Sequence, residues 1–342
     1  METILLLQRG EGRKSQQPRI KDRIQEAGFE YALLELEKDE DFVDQIESWI
    51  SKNKKPVATL RWDEHQNVFG KQEKYKKISS WGWQNNVAPL GIDFGYFNHY
   101  GSLVFDLLDQ KGDSSIKSEW HLMDSSIRPL EEFDGALGEY ISLVKRIYEK
   151  NLFIANMKHA MPSYKYLVFT QCLANNCSIQ GSISSKVWIS NMRQALGSEA
   201  LFKIQPSPFN EKNVDLSEYR VVFSGGTPKI MNQAIEQNAA LASLAGVSVT
   251  NTSGISSELL IGEKQLVTTG ESWYSGLGVF HEANSWQSLK DICDRVSYMP
   301  VDSNQMANRL RFANWWRKHQ IMNNEKNDKL ISGLVKEFKD KN

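Results

Sequence analysis

Cysteine is scarce in this chain: three in 342 residues, at Cys172, Cys177 and Cys293. An odd number without zinc-ligand spacing argues against a disulfide framework and points to a reducing compartment, so a cytoplasmic protein is expected. The six histidines, His65, His99, His121, His159, His281 and His319, form no HxH or HxxxH pair. No metal site is therefore expected. Long apolar runs are missing as well. Nothing approaches the ~20 residues that span a bilayer, and the run Ile4–Leu7 is too brief for a signal-peptide core. It fits a buried first strand. An excess of either charge is also lacking. With a formal net charge of −1, no whole-molecule field draws the chain to nucleic acid or anionic membrane. Internal repeats and low-complexity segments are absent.

What is present is an ordinary globular composition, 40% hydrophobic and 24% charged, in a chain long enough for two cores. Apolar runs alternate with helical patterns, which says α/β. Strands are expected at Ile4–Leu7, in "YALLELE", and in "PVATLRW". A helix is expected over about 20–27, and another in "DEDFVDQIESWISKN", where Phe42, Ile46, Trp49 and Ile50 share a face. Residues 78–108 are less regular and rich in aromatics. A long helix is expected near 134–150. A second alternation starts at Lys165 with "YKYLVFTQ", and runs through "ALFKIQPSPF", "YRVVFSGG", "VSVTN" and "KQLVTTG". The expected domains are 1–158, 159–304, and a helical segment 305–342 packing back on the first.

Thr250–Tyr274, "TNTSGISSELLIGEKQLVTTGESWY", places small hydroxyl residues and a glycine where a strand hands over to a helix. In a parallel α/β sheet, ligands sit at the carboxyl ends of strands near the following helix N-termini. Such an end offers N–H groups and partial positive charge, which suit phosphate. Ser253, Gly254, Ser256 and Ser257 let a ligand approach the backbone, and Glu258 could accept ribose hydroxyls. A nucleotide with its sugar fits. So does a plain N-cap at Ser253 with a first-turn acid.

"VTNTSGISSELLIGEKQLVTTGESWYSGLGVF" resembles the C-terminal motif of GT-B-type bacterial capsule and lipopolysaccharide glycosyltransferases, in particular the Kdo-transferase-like capsular polysaccharide proteins. "WGWQNNVAPLGIDFGYFNHYGSLVFD" is similar to their N-domain segment. The resemblance covers roughly residues 78–110 and 165–282. It implies a GT-B-like fold of two Rossmann-like domains with a cleft between them. It also implies transfer of a sugar from a nucleotide-sugar donor to an acceptor hydroxyl. Under it, Glu258 serves the ribose, Ser253–Ser257 the phosphate, and Asp93 is the catalytic carboxylate. The family's histidine–proline position, linked to a CMP donor, is Ser207 here, which opens the donor to UDP-sugars as well.

Glycosyl transfer needs a carboxylate to deprotonate the acceptor or attack the anomeric carbon, and groups for the departing phosphate. Asp93, after an apolar residue and before a glycine, is the first choice; an Asx turn is the alternative. Lys203 and Arg9 are candidates for phosphate. Arg9, Arg13 and neighbouring cations could meet an anionic acceptor. Gln171 ends the strand opening the second half, a donor-contact position. Trp273 and Tyr274 could stack on a base or sugar, or pack inside. The "DED" at 39–41 suits a helix start better than a metal-binding DxD. "RLRFANWWRKHQ" reads as a membrane or nucleic-acid contact, or as a helix with tryptophans inside and arginines outside. The acceptor is expected to be a saccharide. DNA with hydroxymethylated bases, as in phage-type sugar transferases, is the alternative, and a non-catalytic nucleotide-binding module is the reading from another class.

Overall fold

The computed structural model describes residues 1–8, 14–37, 40–62, 71–98, 101–107, 114–157, 164–170, 188–204, 220–223, 231–323, 325–326 and 328–342. They form two compact units: Met1–His121 with Trp315–Asn342, and Leu122–Asn314. Each holds one six-stranded sheet. The α/β class and its two Rossmann-like halves, expected from the sequence, are what the structure shows.

The first unit runs β1 (Thr3–Gln8), α1 (Gln17–Glu26), β2 (Glu30–Glu35), α2 (Phe42–Ile50), β3 (Ala58–Trp62), α3 (Lys71–Gln84), β4 (Ala88–Phe94), β5 (Ser102–Asp106) and the short α4 (Ile116–Glu119). All six residues of β1 are buried, as in a strand covered on both faces. The period of two then divides them. Ile4 and Leu6 join Ile20 and Ile24 of α1, while Leu5 and Leu7 join Ile46 of α2 with Ile78 and Trp81 of α3. Each such leucine, fully buried, contributes roughly 1.5–3 kcal/mol. Asp41 is the N-cap of α2, accepting from the Val43 amide at 2.9 Å, the place a first-turn acid is favoured. Asp39 lies outside the described residues.

The second unit contains α5 (Gly135–Met157), β6 (Tyr164–Phe169), α6 (Trp188–Leu196), β7 (Ala200–Ile204), β8 (Arg220–Phe223), α7 (Met231–Ser243), β9 (Ala245–Thr250), α8 (Ile255–Ile261), β10 (Leu266–Thr268), β11 (His281–Glu282) and α9 (Trp286–Val296). Helix α5, which the sequence suggests for the first half, packs against α7 and α8. The strands are parallel, in the order β8-β7-β6-β9-β10-β11. That is the doubly wound order, with its switch point between β6 and β9. On one face, Val168, Phe202 and Val249 meet α6 and α9 through Trp188, Met192, Leu289 and Cys293.

The tail is α10 (Ser303–His319), β12 (Gln320–Met322) and α11 (Asp328–Lys341). Strand β12 pairs antiparallel with β5, Ile321 opposite Leu103, and α11 adds Ile331, Leu334 and Phe338 to the first core. Arg23 of α1 donates to the Asn323 carbonyl at 2.9 Å and fixes the loop after β12. Trp315 and Trp316 are buried, Trp316 stacked on Tyr96 at 5.2 Å, so neither is offered to a membrane or a base. Arg309 departs from the expected pattern of arginines outside. It is fully buried, its guanidinium donates to the Lys264 and Val279 carbonyls, and it lies over the Phe280 ring at 5.2 Å. Arg317 and Lys318 are exposed. No helix among the described residues is long and apolar enough to cross a membrane.

Candidate functional site

In the second unit, register lines up one row at the carboxyl edge of the sheet. Phe169 sits opposite Lys203 of β7 and Thr250 of β9, and Thr250 opposite Thr268 of β10. Alternation places Lys203, Phe169 and Thr250 on the face away from α6 and α9. Here α7, α8 and α5 cover the sheet.

The loops after the strands are tied to this edge. The Thr250 hydroxyl donates to the Phe169 carbonyl at 3.2 Å, and the Thr170 hydroxyl to the Lys203 carbonyl at 3.1 Å. Trp188 Nε1 donates to the Thr269 hydroxyl at 2.8 Å, which donates in turn to Asn251 Oδ1 at 3.2 Å. Gly270 closes the arrangement. A Cβ there would fall 2.1 Å from Asn251 Oδ1 and 2.5 Å from Thr252 Cγ2, so only glycine lets the two loops approach.

Helix α8 follows the Asn251–Gly254 loop. Six of its seven residues are buried, and Glu258 alone is partly open. Gly254 occupies the N-cap position with no side-chain cap. Ser253 Oγ accepts from the Ile255 amide at 3.3 Å, so it caps only locally. The Ser256 and Ser257 amides are taken by the Ser253 and Gly254 carbonyls, both at 3.1 Å. Gly254 is exposed and a Cβ there would meet nothing within 4 Å, which leaves room beside the loop.

Three polar side chains meet behind the loop. Lys203 Nζ donates to Asn238 Oδ1, and Asn238 Nδ2 donates to Glu258 Oε2 at 2.9 Å. Asn238 comes from the middle of α7 and is buried. Burial pushes the Glu258 carboxyl up to about 7, against the opposing pull of Asn238 and Lys203. Burial lowers the Lys203 ammonium, with Glu258 acting in the other direction. Tyr148 of α5 lies beneath, its ring against Gly262 at the end of α8. Its phenol is raised well above the ordinary value by burial first and by the charge of Glu258 second. A carboxylate poised near neutrality beside a cation, at the switch-point edge of a doubly wound sheet, can accept ligand hydroxyls and balance ligand charge.

The other expected site residues fall as follows. Tyr274 is buried, with its ring against Phe280 at 5.0 Å and Phe312 at 6.4 Å and its hydroxyl against Ser272 and Ser256. Trp273 is buried too. In the first unit, Asp93 is buried near the end of β4, opposite Val104 of β5, and its Oδ1 accepts from the Phe94 amide at 2.7 Å. The turn after it is cross-braced. Gln320 Nε2 and the Ser102 hydroxyl both donate to the Phe97 carbonyl, at 2.8 and 2.7 Å. Gln171, Arg9, Arg13 and Ser207 lie outside the described residues, as do His65, His99 and His159. Among the described residues no group of three His, Cys, Asp or Glu is placed to hold a metal ion. Sequence reasoning missed Asn238. A single amide in "MNQAIEQNAALAS" carries no motif, and only its bonds to Lys203 of β7 and Glu258 of α8 mark it.

No protein-family model and no curated protein matches the chain. Among solved structures, it is similar to two β-Kdo transferase structures of Thermosulfurimonas dismutans KpsC. The 2,7 transferase is 14% identical over 91% of this chain and 90% of that one, with a TM-score of 0.48. The 2,4 transferase is 11% identical over 90% and 89%, with a TM-score of 0.45. A UDP-GlcNAc 2-epimerase of Methanocaldococcus jannaschii, in complex with UDP-GlcNAc and UDP, is 10% identical over 92% of this chain and all of that one, with a TM-score of 0.38. The Kdo transferases whose motifs the sequence resembles are thus among the structural neighbours.

Proposed function

We propose that the chain is a glycosyltransferase that binds a nucleotide-sugar donor at the carboxyl edge of the second sheet. The observation that carries this is the meeting of Lys203, Asn238 and Glu258 at that edge, beside the β6/β9 switch point. Glu258 accepts ribose hydroxyls, and Lys203 supplies the compensating cation. Ser253 and Gly254, the open residues of the loop, line the approach to the donor phosphate, with the buried Ser256, Ser257 and Tyr274 behind them. Asp93 supplies the carboxylate of the transfer step, either as base toward the acceptor hydroxyl or as nucleophile. Gln171 completes the donor site, and Arg9 and Arg13 meet phosphate or an anionic acceptor. The nucleotide sugar, UDP- or CMP-linked, is a co-substrate, and the acceptor is a saccharide.

The test is nucleotide release from UDP- and CMP-linked sugars in the presence of oligosaccharides or of DNA containing hydroxymethylcytosine. Release that depends on an oligosaccharide supports the proposal. Release that depends only on the DNA replaces its acceptor. Nucleotide binding without release from any donor identifies a binding module instead.

A further inference from the structure

Asn238 sits between a group that only donates and a group that, ionised, only accepts. Lys203 has three N–H donors and no lone pair, so the Asn238 face turned to it must be the carbonyl oxygen. This settles the direction of an amide that is otherwise ambiguous. The NH2 group then faces Glu258, where it donates to Oε2 at 2.9 Å. Among the described residues, Oε1 of Glu258 has no protein partner. Asn238 is 5% exposed, so water does not readily replace it. Its bonds reach Lys203 of β7 on one side and Glu258 of α8 on the other.

We propose that Asn238, oriented by Lys203, is a positioning residue that holds the Glu258 carboxylate by Oε2 and leaves Oε1 as the acceptor for a hydroxyl of a ribonucleotide. This rests on the donor-site reading above for the identity of the ligand, but not for the relay itself. The ligand class comes from that reading. One free carboxylate oxygen serves a ribose hydroxyl, and a deoxyribose lacking that hydroxyl leaves it unpaired. Among the described residues, the groups that face Glu258 are Asn238 from α7, Lys203 from β7 and Tyr148 from α5. Tyr148 is neutral at ordinary pH, so Asn238 and Lys203 are the groups that oppose the upward push of burial on the Glu258 carboxyl.

Asn238→Asp keeps the shape and the acceptor for Lys203, but it cannot donate to Glu258 when ionised and adds a like charge. Asn238→Ser removes both bonds, and Lys203→Arg keeps the cation. Carbon-13 NMR of glutamate-labelled full-length chain follows the Glu258 carboxyl directly, assigned with Glu258→Gln. The titration midpoint is expected to rise by about one unit or more in Asn238→Asp and Asn238→Ser, and to stay near the wild-type value in Lys203→Arg. UDP and CMP are the ligand probes, compared with their 2′-deoxy forms by calorimetry. In Asn238→Ser, affinity for the better ribonucleotide falls about tenfold or more, and the ribo-to-deoxy preference shrinks with it. An unmoved midpoint in both Asn238 variants, with circular dichroism like wild type, overturns the relay. A moved midpoint with UDP and CMP binding unchanged upholds the relay and overturns the donor-site assignment instead.

Discussion

Glu258 Oε2 accepts a 2.9 Å hydrogen bond from Asn238 Nδ2, joining a carboxylate on α8 to a buried amide on α7. The amide's other face holds Lys203 of β7. A carboxylate that is largely withdrawn from water and held by these two partners makes the stability of the protein depend on pH in a defined direction.

The Glu258 carboxyl stands at about 7 in the folded chain against an ordinary 4.5. The folded state therefore holds this proton more tightly than the unfolded state. Its contribution to stability is whole below pH 4.5 and is lost as pH rises through about 7. Complete deprotonation corresponds to about 3 kcal/mol. Glu258→Gln removes that dependence. Urea unfolding at pH 5 and pH 8 should show the wild type losing on the order of 3 kcal/mol more than the variant between the two. Equal losses in both proteins would contradict the assignment.

Two glycines of the same site should respond unequally. Gly270→Ala forces a Cβ to within 2.1 Å of Asn251 Oδ1, so the loops after β9 and β10 must part. A cost of about 1–3 kcal/mol in unfolding free energy is expected. Gly254→Ala meets no atom within 4 Å and keeps an ordinary helical φ of −60°. Its stability should change by less than ~1 kcal/mol. If the open space over Gly254 receives the donor phosphate, Gly254→Val weakens UDP or CMP binding while the fold persists. Unchanged affinity in that variant would free the loop from a phosphate role.

Arg309 predicts a purely structural loss. Replacing it by Met leaves the Lys264 and Val279 carbonyls without their donor and removes the cation from the Phe280 face. A destabilisation of about 2–4 kcal/mol follows. Lys at 309 keeps the charge but not the fork that reaches two carbonyls, and should recover only part of it. Denaturant unfolding of the two variants decides this.

Asp93→Asn separates chemistry from folding. The amide oxygen can still accept from Phe94, so the unfolding free energy should stay within ~1 kcal/mol of wild type. Nucleotide binding, assigned to the second unit, should not change. Sugar transfer should fall by about a hundredfold or more if Asp93 is the base or nucleophile. Transfer at the wild-type rate in Asp93→Asn would remove it from the mechanism.

Much of this architecture is legible in the chain because it is local. The runs at Ile4–Leu7, "YALLELE" and "YKYLVF" announce strands through apolar residues alone. The strand–loop–helix at Thr250–Ile261 announces itself through small residues followed by an amphipathic acid. The parts that are hidden depend on distant partners. Strand β12 is three residues inside a helical tail and exists because β5 offers an edge more than 200 positions earlier. Helix α3 buries Ile78 and Trp81 on one side and packs Trp83 on Phe338 on another, so its aromatics follow no single face and its pattern reads as irregular chain. Arg309 looks like a surface charge until Lys264 and Val279 present carbonyls to it. Asn238 is invisible for the same reason: its partners lie 35 positions before it and 20 after.

The donor site itself is most directly tested by thermal shift, with UDP, CMP, GDP and their sugars against wild type and Glu258→Ala. A nucleotide at a hundred times its dissociation constant adds about 2.7 kcal/mol, a readable rise in midpoint. A UDP or CMP species should stabilise the wild type, and Glu258→Ala should abolish the shift. No shift from any nucleotide, or the same shift in Glu258→Ala, would contradict a donor site at the carboxyl edge of the second sheet.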